Sequence, residues 1–321
     1  MADPMTLLEE PPPTPATTGT ARARGVRLPL GLLLTARPRQ WIKNLLVTAA
    51  PAAAGALDSP QVAARLAVVF VLFTAAASAV YLVNDARDAE ADRAHPDKCR
   101  RPVAAGQVPV PVAYATGTAL ALLAPVGAAL LCNPATAALI AAYVVMQLAY
   151  CLRLKQVLVV DLVVVTTGFL MRAMVGGIAL GIPLSRWFLI TTGFGALYMV
   201  SAKRYSEALL TAGRPGAAAG ETRALLGEYT VGYLRFVWQL AAGVAVLAYC
   251  LWALETKGAH HGLLPWRQLS MVPFILAVLR YAVFADRGTA GAPEDVLLRD
   301  RPLAATALAW MALYGSAVVG L

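Results

Sequence analysis

The sequence predicts an all-α fold: a polytopic membrane protein with nine transmembrane helices in one bundle. Three observations carry that prediction. Of the 321 residues, 59% are hydrophobic and only 14% are charged, with a mean hydropathy of +0.64. Apolar runs long enough to cross a bilayer recur along the chain. The basic residues between them fall almost entirely on alternate loops. A water-soluble domain has roughly twice this share of charge, and a soluble fold of this length could not hide so much apolar surface. A soluble enzyme, a disordered chain and a disulfide scaffold are thereby excluded.

Residues 1–35 contain an acidic pair, the Pro11–Pro13 run and scattered arginines, with no apolar stretch that resembles a signal peptide. They are expected to form a disordered cytoplasmic tail ahead of a transmembrane domain covering 36–321. Spans are expected near 41–57, 62–83, 110–131, 135–152, 157–180, 187–202, 229–253, 270–286 and 302–321. The first, sixth and eighth are at or just under the ~17-residue lower limit for a spanning helix. Each run must be helical, because a segment in lipid has to satisfy its own backbone.

With the N-terminus in the cytoplasm, 20 of the 27 Lys and Arg residues lie on the cytoplasmic side, counting the soft first boundary. The opposite loops hold only Arg186, Lys257 and Arg267. That asymmetry supports both the count and the orientation in the plasma (inner) membrane, with the polar site facing the cytoplasm. The formal charge of +9 would suggest nucleic acid as a partner of a soluble protein. Here it reflects the positive-inside bias and, compatibly, a basic pocket for an anionic substrate, and no nucleic acid is expected. Cys99, Cys132, Cys151 and Cys250 are far apart and form no CxxC pair, so neither zinc nor a disulfide framework is indicated. The two longest cytoplasmic loops follow spans two and six, an offset of four helices that hints at an internal repeat.

The loop after span two reads NDARDAEADRAHPDKCRRPVAAG. Asn84, Asp88 and Asp92 recur at i, i+4 and i+8, so on a continued helix each step drifts only ~40° and all three share a face. Tyr81 lies nearly on that face one turn earlier, and Asp85 lies one residue off it. Oxygen ligands so spaced suit Mg²⁺, which takes one or two carboxylates and completes its shell with water and phosphate oxygens. His95, Lys98, Arg100 and Arg101 follow. Acid then base within a dozen residues is what a metal-bound diphosphate requires.

The remaining polar positions each fit two roles. Lys43, in RPRQWIKN, fits a snorkelling interfacial lysine or a phosphate ligand. Tyr150, Arg153 and Lys155 end span four on a short cytoplasmic turn, which suits topology or a phosphate clamp. Gly168 and Arg172 each lie within about 20° of Asp161 around span five. Intramembrane Arg172 is a functional candidate with Asp161 as its natural partner, or the two form a structural ion pair. Span six ends in KRYSE, where Lys203 and Glu207 fit an i, i+4 surface pair, and where Lys203 and Arg204 also fit a site role matching the acidic loop of the first half.

NDxxDxxxD followed by HPxKxxRPxxxG, in a chain of nine spans, resembles the UbiA superfamily of intramembrane prenyltransferases over roughly 35–321. That resemblance implies a diphosphate donor held by Mg²⁺. It also implies a second aspartate-rich motif after span six, with a second Mg²⁺. Here that position is KRYSE, with Glu207 its only carboxylate. Fewer carboxylates weaken a second metal site, whereas Lys203 and Arg204 add capacity for phosphate. RPRQWIKN, SAVYLVNDARDAEADRAHPDKCRRP, MQLAYCLRLK, MVSAKRYSE and YLRFVWQL are similar to the actinobacterial branch that moves phosphoribose. Similarity to that branch implies transfer of 5-phosphoribose from phosphoribosyl diphosphate to a polyprenyl (decaprenyl) phosphate, for arabinan synthesis in the cell wall.

On that resemblance, Asn84 and Asp88 hold Mg²⁺, with Asp92 nearby through water. Lys43, Tyr81, Lys98, Arg101, Tyr150, Lys155, Arg172, Lys203 and Arg204 are the candidate substrate ligands. Oligomeric state stays open, a homo-oligomer included. Two alternatives remain: a prenyltransferase acting on an aromatic acceptor, which calls for the missing acidic motif, and an inverted-repeat transporter, which gives no role to Asn84, Asp88 and Asp92.

Overall fold

A computed structural model describes residues 28–212, 227–255 and 264–319, and among these residues every regular element is helical. The elements are α1 (Leu28–Thr35), a 3₁₀ segment (Pro38–Thr48), α2 (Ala49–Ala53), α3 (Pro60–Arg87), α4 (Ala89–Arg93), α5 (Val110–Leu131), α6 (Pro134–Leu152), α7 (Val160–Ala179), α8 (Arg186–Ala212), α9 (Val231–Leu254), α10 (Trp266–Asp286), α11 (Pro293–Arg299) and α12 (Arg301–Val319). Short 3₁₀ turns occur at Lys98–Arg100 and Leu154–Gln156.

Seven of these helices, α3, α5, α6, α7, α9, α10 and α12, are long and apolar enough to cross a membrane. They coincide with seven of the expected spans. The sixth expected span is α8, whose 27 residues give ample length, but Thr191, Thr192, Ser201, Lys203 and Arg204 dilute its apolar character. The starts of α3, α6 and α9 are set by short polar caps, Ser59, Asn133 and Thr230. Ser59 Oγ accepts from Val62 N at 3.2 Å ahead of Pro60, and Asn133 Oδ1 accepts from Thr136 N at 2.8 Å ahead of Pro134. Each pairs an N-cap with a proline whose missing N–H is harmless in the first turn.

The first expected span, 41–57, is not one helix. Arg37 adopts a left-handed backbone (φ +57°), and an 11-residue 3₁₀ segment then leads into the five-residue α2. Runs of 3₁₀ beyond a few residues are uncommon, and the three-residue turn stacks positions i and i+3. Asn44 and Val47 are stacked in this way, and both are buried. The close fit depends on Gly176 in α7, where a Cβ would fall 1.9 Å from the Val47 carbonyl oxygen. The last part of the expected disordered tail, Leu28–Thr35, is helical; residues 1–27 lie outside the described residues.

One core joins Phe73, Ala76, Ala124, Ile140, Tyr143 and Val175, from α3, α5, α6 and α7. A second joins Leu162, Tyr198, Tyr205, Trp238 and Tyr281, from α7 to α10. Helix α7 contributes to both, through Val175 to one and Leu162 to the other.

Candidate active site

Polar residues converge where α3, α6, α7 and α8 present their Asn84, Tyr150, Asp161 and Arg204 ends. Helix α3 stops at Arg87 and Asp88 caps it (φ −86°, ψ 6°) before α4 resumes. Backbone bonds from Asp88 N to Asn84 O (2.9 Å) and from Asp92 N to Asp88 O (2.8 Å) preserve the four-residue spacing through this break.

The four acidic-motif side chains divide into two pairs. Asp85 and Asp92 are 2% and 3% exposed and are consumed by arginines. Arg37 Nη2 lies 2.6 Å from Asp85 Oδ1, Arg101 Nη1 lies 3.3 Å from the same oxygen and 2.7 Å from Asp92 Oδ2, and Lys98 Nζ lies 4.0 Å from Asp92 Oδ1. Asn84 and Asp88 are half-buried instead. Asp88 Oδ2 meets only Lys155 Nζ at a loose 3.5 Å, and the Asn84 amide makes no hydrogen bond among the described residues. Asp92, expected beside the metal, pairs here with Arg101, and Arg101 and Lys98, expected on phosphate, both face Asp92.

Arg37 and Asp85 carry weight that the sequence reading did not give them. The Arg37 guanidinium also lies 4.8 Å from the Tyr81 ring centroid, locking α3 to the chain just before the 3₁₀ segment. The RP dipeptide at 37–38 was the available signal, because a residue before proline is pushed out of helical conformation. Arg87 ties the same helix end to α6 by donating to the Cys151 and Leu152 carbonyls at 2.7 and 3.0 Å.

Arg172 does not pair with Asp161. Its Nε donates to Asn44 Oδ1 (3.0 Å), Nη1 to the Gly168 carbonyl (3.0 Å) and Nη2 to the Tyr143 hydroxyl (2.7 Å). Asn44 Nδ2 donates onward to Thr74 Oγ1 at 3.0 Å. The Phe73, Tyr143 and Phe169 rings surround the guanidinium. Arg172 therefore pins the 3₁₀ segment, which carries half-buried Lys43, against α3 and α7.

Asp161, 1% exposed, belongs to a second cluster. Its Oδ1 accepts from the Tyr150 hydroxyl at 2.5 Å and from Arg204 Nη2 at 3.2 Å, and Arg204 Nη1 reaches Glu207 Oε2 at 3.2 Å. Lys203 Nζ lies 3.9 Å from Glu207 Oε1 and is 46% exposed. The turn that places Asp161 is strained: Val159 has φ +68°, unfavourable for a β-branched residue. Its N–H is held by the Tyr229 hydroxyl at 2.7 Å. The segment 150–161 links the two clusters, with Lys155 facing Asp88 and Tyr150 facing Asp161.

At the opposite end of the bundle lies an apolar cavity of about 900 Å³, lined among others by Leu46, Trp187, Tyr249, Trp252, Trp310 and Tyr314.

The model of the UbiA prenyltransferase family matches residues 45–299. The chain belongs to that family. Decaprenyl-phosphate phosphoribosyltransferase of Mycobacterium tuberculosis H37Rv is 50% identical over 292 residues, covering 90% of this chain and 94% of that protein. The enzyme of that name from Corynebacterium glutamicum is 46% identical over 310 residues, covering 95% and 92%. Among solved structures, a UbiA homolog from Archaeoglobus fulgidus bound to GPP and Mg²⁺ shares the fold with a TM-score of 0.66 at 17% identity, covering 91% of this chain and 100% of that one. A digeranylgeranylglyceryl phosphate synthase gives a TM-score of 0.63 at 14% identity, covering 91% and 98%.

The UbiA fold implies a divalent metal, and the donor set suits one. No three His, Cys, Asp or Glu side chains converge among the described residues. Asn84 and Asp88 nevertheless offer two oxygen donors on consecutive turns, not committed to arginine. Mg²⁺ is commonly bound through one or two carboxylates, with water and substrate phosphate completing its shell. The residues fit such an ion.

Proposed function

We propose that this UbiA-family chain transfers 5-phosphoribose from phosphoribosyl diphosphate to decaprenyl phosphate, releasing diphosphate, for the lipid-linked pentose supply of arabinan synthesis. The observation that carries this reading is near-full-length identity of 46–50% to enzymes of that name. The cationic KRYSE cluster supports it, because a donor with an additional 5-phosphate needs more cationic ligands than a prenyl diphosphate.

Asn84 and Asp88 would hold Mg²⁺, which would supply Lewis-acid charge on the leaving diphosphate. Lys155, loosely paired with Asp88, is poised to exchange that carboxylate for a phosphate oxygen. Lys203 and Arg204 take the 5-phosphate or the acceptor phosphate, and Tyr150 orients Arg204 through Asp161. Arg37, Arg101, Lys98 and Arg172 keep the surrounding elements rigid, so catalysis is positioning plus stabilisation of charge. The acceptor phosphate is already anionic and needs no general base. Its isoprenoid tail runs between the helices towards the aromatic-lined cavity, and the polar mouth faces the cytoplasm.

The test is an assay of purified protein with labelled phosphoribosyl diphosphate and decaprenyl phosphate, against labelled prenyl diphosphate and an aromatic acid. A lipid-soluble labelled pentose phosphate is expected only in the first. Label appearing only in a prenylated aromatic would overturn the reading.

A further inference from the structure

The cluster at the start of α7 contains more negative charge than a simple phosphate-binding arginine needs. One guanidinium bridges carboxylates on two helices, Asp161 of α7 and Glu207 of α8, at 3.2 Å each. The Tyr150 hydroxyl adds a third oxygen against Asp161. Asp161 Oδ2 is buried without a hydrogen-bond partner among the described residues. Two carboxylates, one of them with an unsatisfied buried oxygen, and a phenol oxygen beside one centre of positive charge form an oxygen-rich pocket of the kind a hard divalent cation takes. In this chain Arg204 fills it.

Among the described residues, Arg204 is the one cation paired with Asp161. Asp161 and Glu207 are offset by Arg204 and by Lys203, which lies 3.9 Å from Glu207. Without the guanidinium, Asp161 is a buried, uncompensated carboxylate. Such a group recruits a cation or a proton.

We propose that Arg204 is a protein-borne cation occupying a latent divalent-cation site made by Asp161 and Glu207, so that each chain has one protein site for a divalent ion, at Asn84 and Asp88. The proposal deepens the reading of the same site and rests on it for the diphosphate substrate. An arginine has five N–H donors. Arg204 directs two at carboxylates, and the other three meet no acceptor among the described residues. Those three are available to phosphate oxygens. A fixed guanidinium is in place before substrate arrives, and its planar donors match phosphate geometry.

The test counts Mn²⁺ bound to the full-length protein in detergent by electron paramagnetic resonance titration, with Mn²⁺ alone as the probe. Wild type is expected to bind at most one ion, removed by Asp88→Asn. Arg204→Gln is expected to gain one further site, lost again in the double variant with Asp161→Asn. Asp161→Asn alone is expected to leave the wild-type count unchanged. A folded Arg204→Gln protein with no added site overturns the proposal. So does a wild-type count of two that falls to one in Asp161→Asn, a comparison that decides the matter even where Arg204→Gln does not fold. The product assay separates this from the proposed reaction: a gained site without phosphoribosyl transfer sinks the reaction and keeps the inference, and transfer with two wild-type sites does the reverse.

Discussion

Asp88 and Asp92 are four residues apart in the same motif, yet their surroundings give them different work. Asp92 is buried against Arg101 at 2.7 Å, whereas Asp88 meets only the loose Lys155 contact at 3.5 Å. Asp88→Ala is expected to lower kcat by about 10²- to 10³-fold, the size of loss seen when one charge-stabilising group is removed, with an unchanged melting curve. Wild-type turnover in the folded variant would remove Asp88 from the metal. Asp92→Asn is expected to behave oppositely. It weakens a charge-assisted bond worth about 1.5–3 kcal/mol, lowering thermal stability while leaving Mn²⁺ affinity near wild type; a lost Mn²⁺ signal at normal stability would return Asp92 to the metal shell. Lys203→Ala should raise KM for phosphoribosyl diphosphate about tenfold, as expected for one such contact, and an effect confined to the lipid acceptor would reassign that residue. The spacing of Asn84, Asp88 and Asp92 was legible in the sequence. The division of labour was not, because it depends on Arg37 reaching Asp85 from another segment and on Arg101 of the same loop turning back onto Asp85 and Asp92 and not onto Asp88.

At the scale of elements, the least regular segment is the one that seats the polar mouth. The 3₁₀ stretch Pro38–Thr48 is held by Arg172 through Asn44 and by the close approach of Val47 to Gly176. Gly176→Ala puts a methyl group against a backbone carbonyl that has no rotamer to yield, so the cost should reach or exceed the upper end of the usual ~1–3 kcal/mol for overpacking. A fall in melting temperature in detergent, together with reduced activity, is the expected result. A neutral substitution would show that α7 and the 3₁₀ segment separate readily. Seven of the nine expected spans were legible from hydropathy because each is a continuous apolar run long enough to cross a membrane; the sixth, α8, has the length but grows polar towards Lys203 and Arg204. The first was not, because hydropathy reports only that 41–57 is apolar, while the conformation follows from Pro38, the left-handed Arg37 and the space that Gly176 opens for Val47, 129 residues earlier. The pairing of Asp161 with Arg204 was hidden for a similar reason: helical phase put Asp161 and Arg172 on one face of α7, but that face meets α3 and the 3₁₀ segment near Arg172 and α8 near Asp161.

For the whole molecule, the decisive property is the separation of its two ends. The loops holding Asp97 and Lys155 and the end of α8 carry both polar clusters and nine of the 27 Lys and Arg residues, Arg87, Arg93, Lys98, Arg100, Arg101, Arg153, Lys155, Lys203 and Arg204; the loops holding Asp58 and Arg186 flank the apolar cavity. The proposed orientation, with the polar end in the cytoplasm, rests on this asymmetry, since translocating lysine and arginine is disfavoured. Two exposed aspartates mark the two ends, Asp58 before α3 and Asp97 after α4. In a background with the four native cysteines replaced, Asp58→Cys is expected to react with a membrane-impermeant maleimide on intact cells. Asp97→Cys is expected to react only after permeabilisation. The reverse pattern would place the polar mouth outside, away from any cytosolic supply of sugar diphosphate, and the proposed reaction would fail on access even with every residue of the site in place.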